Sequence, residues 1–419
     1  MKVTIVNTCS TLNPGDAASV FAQIHLLRAL LPNVEIALTS RTPDIDRRLY
    51  ARLDVEVFPP LLAAPGTFKG HMKKAMLTIK GLLDVKGKAR LLSALARSDL
   101  VISSGGGYLY SLRRWIPGPT FLEHLLHIRV AALLDRPVLL FPQSFGPFLN
   151  GAALALLKNA IMARAVVKVL AREEISLNIL LELLPERASA KVGLCPDVCF
   201  LLAGVKTWDS GPFEEVSGLD RPIICVTVRE WTSPEKTSSG RAQGQKRDYL
   251  EVFLKALRRL LDRYGGSILV VPHVHGPGES EDDRAISVEF MKRAAGVIPR
   301  ERLRLLDREG PRTPEETIRL YSLADLVVGT RLHSCIFAIL AGVNFMAVGY
   351  LPKTRGTLEM IGLEDFFVDM WKMDADELFR RTATILDHRE EVRRRLLDAR
   401  DRASRTVRQT LESALRPYL

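Results

Sequence analysis

The sequence predicts an α/β protein with two doubly wound domains, each built on a parallel sheet. Its 419 residues, 47% of them hydrophobic, are enough for two domains that each bury a core. Short β-branched runs alternate with longer helical patterns along the chain, as in βαβ units. The alternation is interrupted at residues 202–221, which are rich in Gly, Pro, Ser and acidic residues without a clear period, so we place the domain junction there.

Ten segments are predicted as strands, five on each side of the junction. They are residues 3–7, 34–39, 100–103, 138–141 and 166–170, then 223–228, 267–272, 303–306, 326–329 and 345–349. We assign residues 1–205 to an N-terminal Rossmann-like domain and 206–419 to a C-terminal one, with the last helix packing back on the first domain. The cleft between two such sheets is the expected ligand site.

The cysteine content and the apolar runs indicate the cellular setting. Five cysteines are few and odd in number, and four of them sit in or beside apolar strand-like runs, which predicts buried thiols in a reducing compartment. No stretch approaches the roughly 18 to 20 apolar residues of a spanning helix, and the first residues lack a signal-peptide layout. We therefore expect a soluble cytoplasmic protein.

Basic residues exceed acidic ones, 59 to 48, which gives a formal charge of +11. This charge favours an anionic partner but does not choose among nucleic acid, an acidic membrane face and a phosphorylated substrate. Residues 69–90 hold seven Lys or Arg and a single acid, with apolar residues at helical spacing, and predict a basic amphipathic helix. A solvated helix and a membrane-surface contact both remain open for it. Residues 232–247 contain almost no apolar side chains and predict a mobile loop.

Ligands of parallel sheets bind where strands end and helices begin, so residues at those points are candidates. In the first domain an Asn-Pro-Gly-Asp turn ends at Asp16, which is suited to capping the next helix. The three glycines after the third predicted strand lack Cβ atoms, which would let a ligand approach the backbone. The first-domain candidates at such edges are Asp16, Gly105, Gly106, Gln143, Ser144 and Arg172.

The second domain gives sharper signals. One strand runs into Arg229, and another runs into Arg331 and His333 before an apolar helix. If Ser334 or Thr330 capped that helix, a bound anion would meet N–H donors, a guanidinium and an imidazole together. The competing interpretation is that Arg331 pairs with an acid and that His333 is a packed polar side chain.

Other residue clusters give weaker predictions. His273 and His275 precede several acids, but no third ligand follows at a metal-motif spacing, so hydrogen bonding within the loop is favoured over metal binding. Cys195 and Cys199 have no second pair and are interpreted as structural. The aromatic residues after the glycine run either stack on a sugar or close the edge of the core; they are Tyr108, Tyr110 and Trp115.

Taken together, the motifs resemble the polysaccharide pyruvyl transferase family, which has a GT-B-like pair of Rossmann domains. The matching pieces are N-P-G-D at 13–16, S-G-G-G at 104–107, Q-S-F-G-P at 143–147, A-R-E-E-x-S at 171–176, P-D at 196–197, V-R at 228–229 and G-T-R-L-H-S at 329–334. Each motif is short, but their order and spacing are specific and cover most of the chain. Pro14 and the basic insert at 69–90 depart from the pattern.

The resemblance implies transfer of pyruvate from phosphoenolpyruvate to two saccharide hydroxyls as a ketal, without a metal or cofactor and without a nucleic-acid partner. The first domain would hold the acceptor and the second the donor. Phosphoenolpyruvate requires several cations, and three arginines follow three strands: Arg172, Arg229 and Arg331. His333 would protonate the methylene carbon, and Asp16 would orient or deprotonate the acceptor.

Further expectations concern the phosphate, the acceptor and the alternatives. Lys353 and Arg355 would hold the departing phosphate, and Ser334 would contribute to substrate binding. The acceptor is either free or lipid-linked, and the lipid-linked case implies peripheral contact with the inner membrane face. One alternative is a GT-B glycosyltransferase that uses a nucleotide sugar and grips the ribose through Glu359 or Asp365. The other is a non-catalytic protein that binds anions or saccharides.

Overall fold

The computed structural model describes residues 1–62, 84–204, 216–230, 249–278, 281–306, 308, 310, 312–349 and 352–419. The elements of the first domain, in chain order, are β1 Lys2–Val6, α1 Pro14–Leu30, β2 Glu35–Thr39, α2 Pro43–Tyr50, β3 Glu56–Phe58, α3 Val85–Arg97, β4 Leu100–Ser103, β5 Gly106–Ser111, α4 Pro119–Leu133, β6 Val138–Phe148, α5 Gly151–Met162, β7 Val166–Ala171, α6 Glu174–Leu183, α7 Glu186–Ser189 and β8 Val192–Leu194. A 3₁₀ helix, Val198–Leu202, follows.

The second domain repeats the alternation. Its elements are β9 Ile223–Val226, α8 Tyr249–Tyr264, β10 Ser267–Val270, α9 Arg284–Ala294, β11 Leu303–Leu305, α10 Pro314–Ser322, β12 Leu326–Gly329, α11 Leu332–Ala341, β13 Asn344–Gly349, α12 Pro352–Glu359, β14 Phe367–Asp369, α13 Ala375–Asp387 and α14 Arg389–Leu415. Short 3₁₀ turns lie at Ala51–Leu53, Arg300–Arg302, Glu364–Phe366 and Arg416–Tyr418.

Two parallel sheets with doubly wound topology confirm the predicted fold class. The first sheet has the order β3-β2-β1-β4-β6-β7-β8, with β5 paired to β6, and the second has the order β11-β10-β9-β12-β13-β14. Every strand pairing is parallel. The strand order reverses between β1 and β4 in the first sheet and between β9 and β12 in the second. Ligands are expected at these two switch points.

The central strands are buried on both faces because helices cover both sides of each sheet. β4 (LVIS), β9 (IICV) and β12 (LVVG) have no exposed residue. Such continuous apolar runs are typical of parallel strands, whereas antiparallel strands with one wet face alternate. The predicted strands therefore agree with the structure to within one or two residues at most ends.

The glycine-rich segments differ from the prediction. Residues 106–111 form β5 and not a ligand loop, and β6 continues beyond the predicted strand at 138–141 to Phe148. The β5–β6 pairing contains register shifts, which accommodate the irregular backbone. The three-residue strands β3, β8, β11 and β14 flank the two sheets.

Helix α1 lies between the domains, and 13 of its 17 residues are buried. Asn13 caps it by accepting a hydrogen bond from the Gly15 N–H at 3.1 Å, so the predicted cap, Asp16, is wrong. Asp16 instead occupies the first turn, where its side chain can reach across the sheet edge. The helix packs against the 3₁₀ helix Val198–Leu202 and against α10 and α11 of the second domain.

The two domains share one continuous apolar core. It runs from β1 and α1 through the 3₁₀ helix Val198–Leu202 into the second sheet and α14. The last helix, α14, packs against that 3₁₀ helix, and so returns to the part of the chain that precedes the second sheet. All five cysteines are buried free thiols, as predicted. The change from the first sheet to the second falls between Leu194 and Ile223.

Much of the predicted basic helix and all of the predicted mobile loop lie outside the described residues. At the end of the basic segment, Asp84 caps α3 by accepting from the Gly87 N–H at 2.9 Å. Helix α3 therefore begins at Val85, and a single helix through residues 69–90 is wrong. Among the helices that the structure describes, none combines the length and apolar character needed to cross a membrane.

The shared core makes a prediction about α14. Leu411 is completely buried, so Leu411→Ala should lower the free energy of unfolding by about 2–5 kcal/mol through lost burial and a residual cavity. Urea unfolding monitored by circular dichroism measures the change. Arg405→Ala, on an exposed position of the same helix, is the control and should change stability by less than about 0.5 kcal/mol. Equal effects of the two variants would contradict a structural role for α14.

Candidate active site

The site lies where the two switch points meet. α1 follows β1 in the first sheet, and α11 follows β12 in the second. The imidazole of His333, in the first turn of α11, lies directly over Gly15: a Cβ at that glycine would stand 2.2 Å from the ring. The N-termini of α1 and α11 therefore face one region, where the two helix dipoles contribute a positive potential.

A buried chain of charged groups connects the two domains. Arg172 Nη1 donates to Asp197 Oδ2 at 2.9 Å, and both side chains are almost fully buried. Asp197 Oδ2 also lies 3.7 Å from His333 Nε2, which makes no hydrogen bond among the described residues. Burial alone would raise the pKa of Asp197, but His333, Arg172 and the Cys199 N–H hold that pKa well below its usual range. Asp197 is therefore an ionised carboxylate that faces the His333 imidazole.

Arg172 is fixed at its other edge as well. Its Nε donates to Ser144 Oγ at 2.8 Å, and its backbone N–H donates to the Gln143 carbonyl at 3.2 Å. The Gln143 side chain is buried, and its Nε2 has no hydrogen-bond partner among the described residues. Gln143 is thus a donor held in the interior, as a ligand-binding residue would be.

Lys353, at the start of α12, is the centre of a group of cations. Burial, together with the charges of Arg172, Arg229 and Arg331, lowers its pKa to about 7. The three predicted arginines therefore act electrostatically on one ammonium group. A Cβ at Gly107 would stand 2.7 Å from Lys353 Nζ and 3.4 Å from Arg172 Nη2, so these two cations meet over the backbone of β5.

The other two glycines of the run are required by the protein's own packing. A Cβ at Gly105 would stand 2.5 Å from the Pro142 carbonyl oxygen. Gly106 has a φ of +149° and its Cα faces the Tyr108 ring. Neighbouring chain atoms thus occupy the space that was expected to admit a ligand at Gly105 and Gly106, so that expectation is wrong at these two positions.

Asp16 belongs to a buried network of its own. Its Oδ2 accepts hydrogen bonds from Tyr108 Oη at 2.5 Å and Asn13 Nδ2 at 3.0 Å. Burial raises the pKa of Asp16 to about 7, against the opposing effects of Tyr108 and His333. Such a carboxyl group exchanges a proton near neutral pH. The charge of His333 reaches Asp16, which brings the two predicted catalytic residues into one site.

Tyr108 is fixed by the residues behind it. Its ring stacks on His124, with centroids 4.8 Å apart, and His124 Nε2 lies 3.4 Å from Cys9 Sγ. Burial lowers the pKa of His124 to about 3, so this imidazole is neutral. Tyr108 therefore positions Asp16, and His124 covers the ring face expected to stack on a sugar. Trp115, in contrast, is 91% exposed.

Arg331 and Ser334 have different surroundings from those predicted. Arg331 donates to both oxygens of Asp283, at 2.6 and 3.2 Å, and to the Glu281 carbonyl, which agrees with the competing interpretation that it pairs with an acid. Ser334 Oγ donates to the Arg331 carbonyl and does not cap α11. Thr330 Oγ1 donates to the Thr227 carbonyl, so the predicted cap is wrong for both residues.

Arg355 and the two acids of the nucleotide-sugar alternative lie in exposed ion pairs. Arg355 Nε contacts Glu359 Oε1 at 2.7 Å on the surface of α12, and Arg395 Nη2 contacts Asp365 Oδ2 at 2.9 Å. Arg355 is thus engaged on the surface, apart from the buried charges around Arg172, and the expectation that it holds phosphate is not supported. Neither Glu359 nor Asp365 is set aside for a ribose.

His273 and His275 are hydrogen-bonded within the second domain. His273 Nδ1 contacts Tyr321 Oη at 2.9 Å, and His275 Nε2 contacts the Pro272 carbonyl at 3.1 Å. The His275 N–H also donates to the Leu12 carbonyl of the first domain at 2.8 Å. Both side chains are thus bonded within the second domain, and the His275 backbone makes an interdomain contact.

One group of potential metal ligands lies in the site. Ligand atoms of Asp197, Cys199 and His333 lie within 4.8 Å of one another. However, the Arg172 cation occupies Asp197, and burial raises the pKa of the Cys199 thiol, which keeps it protonated. This donor set fits a bound cation poorly.

Comparisons with known proteins agree with this architecture. The family model described as polysaccharide pyruvyl transferase matches residues 13–352. AmsJ of Erwinia amylovora, an amylovoran biosynthesis protein, is 24% identical over 421 residues, which cover 95% of each chain. HepE of Anabaena, in a structure with UDP-glucose, gives a TM-score of 0.57 at 14% identity over 100% of both chains. The UDP-GlcNAc 2-epimerase of Neisseria meningitidis gives 0.58 at 12% identity over 99% of this chain and 100% of that one.

The fold and the interdomain site define a GT-B-like protein with two parallel-sheet domains. The family match covers most of the chain, and the chain belongs to the polysaccharide pyruvyl transferase family. It is accordingly an enzyme with a pyruvyl transferase role in polysaccharide biosynthesis. The structural neighbours, at 10–14% identity, share the fold alone.

Sequence reasoning did not assign Asp197 a role. Its Pro-Asp motif follows a three-residue strand, and only the fold brings it between Arg172 and His333. Gly15 was treated as part of a turn, whereas its missing side chain makes room for His333. Asp283, the partner of Arg331, lies among acids with no distinguishing pattern.

The raised pKa of Asp16 predicts a pH dependence of stability. Because its pKa is about 7 in the fold and 3.8 in the unfolded reference, the folded state binds the extra proton between these values. Its contribution to stability falls as pH rises from about 4 to about 7, by up to about 1.4 kcal/mol per pH unit. Asp16→Asn should remove this slope, as measured by urea unfolding at several pH values.

The control is Asp398→Asn, an exposed carboxylate on α14, which should keep the slope of the wild type. If Asp16→Asn and wild type lose stability in parallel over that pH range, Asp16 does not carry the raised pKa.

Proposed function

We propose that the enzyme transfers the pyruvyl group of phosphoenolpyruvate to two hydroxyls of a saccharide, forming a ketal and releasing inorganic phosphate. The observation that carries this proposal is the convergence of three guanidinium charges on Lys353, whose ammonium group lies with Arg172 over Gly107. Arg172, Arg229 and Arg331 all act on that lysine. A donor with both a carboxylate and a phosphate matches such a concentration of positive charge.

The state of Lys353 supports a polyanionic ligand. Its ammonium is disfavoured without a ligand, because burial and three guanidinium groups oppose the charge. A bound phosphate would reverse this effect. Arg172 and Arg331 are held by Asp197 and Asp283, so they contribute mainly through their field and through positioning. The N-termini of α1 and α11 add N–H donors to the same region.

His333 is suited to proton donation. A charged imidazole beside the Asp197 carboxylate would give its proton to C3 of the donor as a saccharide hydroxyl adds to C2. Asp16, with a pKa near 7, would accept that hydroxyl's proton. Loss of phosphate from C2 and addition of the second hydroxyl would complete the ketal, and the second hydroxyl proton would leave with the phosphate.

The acceptor is a saccharide of a cell-surface polysaccharide, and we propose that it is lipid-linked. The first domain would bind it, since Asp16 and Tyr108 belong to that domain. The nucleotide-sugar alternative has no comparable support, because Glu359 and Asp365 form exposed ion pairs.

The direct test is phosphate release from phosphoenolpyruvate in the presence of candidate saccharides, with mass spectrometry of the acceptor. The expected result is saccharide-dependent phosphate release together with a pyruvyl mass increment on the sugar. Saccharide-dependent turnover of UDP-sugars, with phosphoenolpyruvate inert, would overturn the proposal.

The role of His333 makes a kinetic prediction. His333→Ala should reduce kcat by about 100- to 10,000-fold, the usual loss for a general acid, while phosphoenolpyruvate still binds. Stopped assays of phosphate release and calorimetric binding measure the two quantities. His388→Ala, an exposed histidine before α14, is the matched control. Unchanged turnover of the His333 variant would contradict the assignment.

The lowered pKa of Lys353 predicts proton uptake on donor binding. At pH 8 the lysine is mostly neutral in the unliganded site, and a bound phosphate should restore its charge with the uptake of nearly one proton. Calorimetry in buffers of different ionisation enthalpy measures this number. Lys353→Met should abolish the uptake and weaken donor binding by about 10- to 100-fold. Lys372→Met, an exposed lysine, should do neither, and uptake that persists without Lys353 would assign the proton elsewhere.

A further inference from the structure

A surface outside the site collects exposed apolar side chains. Trp115 and Ile116, in the loop between β5 and α4, are 91% and 57% exposed. Five leucines are exposed as well. They lie on α4, on α5 or just before the cap of α5, and are Leu122, Leu126, Leu133, Leu149 and Leu156. We call these seven residues the Trp115 surface.

The elements that carry these residues are adjacent in the fold. Helices α4 and α5 pack against each other. Asn150, which caps α5, donates to the Arg113 carbonyl at 2.6 Å, and the Leu149 N–H donates to the Ser111 carbonyl at 2.9 Å. The loop is therefore tied to the start of α5, and the fold itself presents Trp115 to solvent.

The charge around this surface identifies its partner. Residues 112–162 hold five Lys or Arg and two acids, of which Glu123 is buried. Arg113 and Arg114 adjoin Trp115 directly. A tryptophan next to arginines, with leucines on the adjoining helices, is the combination found where proteins lie on anionic bilayers. In a symmetric dimer the same arginines would face their own copies, which disfavours a second chain as the partner.

We infer that the Trp115 surface docks on an anionic phospholipid bilayer, with the Trp115 loop entering the headgroup region. This inference rests on the proposed function and extends it, because that function includes a lipid-linked acceptor. Trp115 is the seventh residue after Tyr108, which bonds Asp16, so the loop lies within about 25 Å of the acceptor side of the site. Docking would place the site beside saccharides carried on membrane lipids.

Sedimentation with phosphatidylglycerol-containing vesicles and with neutral phosphatidylcholine vesicles, at low and high salt, tests the docking. The full chain should bind the anionic vesicles more strongly. Trp115→Ser with Ile116→Ser should lower the partition coefficient about tenfold. Arg113→Gln with Arg114→Gln should lower it about fivefold per arginine at low salt and less at high salt.

Matched controls separate this surface from the rest of the basic chain. Trp371→Ser removes a half-exposed tryptophan of the second domain, and Arg402→Gln with Arg405→Gln removes two exposed arginines of α14. Both variants should bind as the wild type does. Quenching of tryptophan fluorescence by brominated lipids should disappear in Trp115→Phe while binding remains, which assigns the inserted side chain.

Two results would overturn the inference. One is vesicle binding that the Trp115 and arginine variants leave unchanged, and the other is a lipid-independent dimer that Trp115→Ser dissociates. These readouts need no turnover, so they stand if the donor proves to be something other than phosphoenolpyruvate. Conversely, phosphate release with a soluble saccharide should be unaffected by Trp115→Ser, which tests the proposed function without the membrane.

Discussion

The site depends on the buried pair between Arg172 and Asp197. Removing two charges from water costs several kcal/mol for each ion, and the pair is tolerable only because every edge has a partner. Ser144 and Asp197 hold the guanidinium, while the Cys199 N–H and His333 face the carboxylate. Since His333 belongs to the second domain, the charge balance of the first domain is complete only when the domains are joined.

In the unliganded site, burial disfavours the charged forms of two ionisable groups. Lys353 and Asp16 have pKa values displaced in opposite directions toward neutrality, one lowered and one raised. Both displacements place the neutral form within reach at physiological pH, so ligand binding is coupled to the protonation of these two groups. Groups whose pKa values are shifted in this way are typical of catalytic centres and also of structural charge networks. The location of His333, over Gly15 and beside Asp197, favours the catalytic interpretation.

The fold was predictable from the sequence because its central strands are long β-branched runs between helices. β4 and β12 agree with the predicted bounds, whereas three-residue strands such as β3 and β14 carry too few residues to show a period. The glycine run was misinterpreted because glycines that admit a ligand and glycines that admit the protein's own atoms look the same in sequence. Only the folded structure shows that Lys353 occupies the space above Gly107.

The candidate residues of the site were predictable in part. The carboxyl ends of the predicted strands indicated where Asp16, Arg172 and His333 would gather, since parallel strands end along one edge of a sheet. Their partners were not predictable. Asp283 and Asp197 pair with arginines that lie 48 and 25 residues away in the chain, and no local motif marks either acid. The cap of α1 was assigned to the wrong member of its turn, because Asn13 and Asp16 are both good capping residues.

The continuous core between the domains has a mechanical consequence. Proteins with two such domains are often described as opening and closing about a hinge. Here, however, α1, the 3₁₀ helix Val198–Leu202 and α14 form one apolar core with the second sheet. Rotating the domains apart would expose this apolar surface to water, at a free-energy cost of about 25 cal/mol for each Å². The distance between His333 and Asp197 is therefore built in during folding. Ligands must therefore enter and leave through movements of individual side chains and loops, without a rotation of the domains.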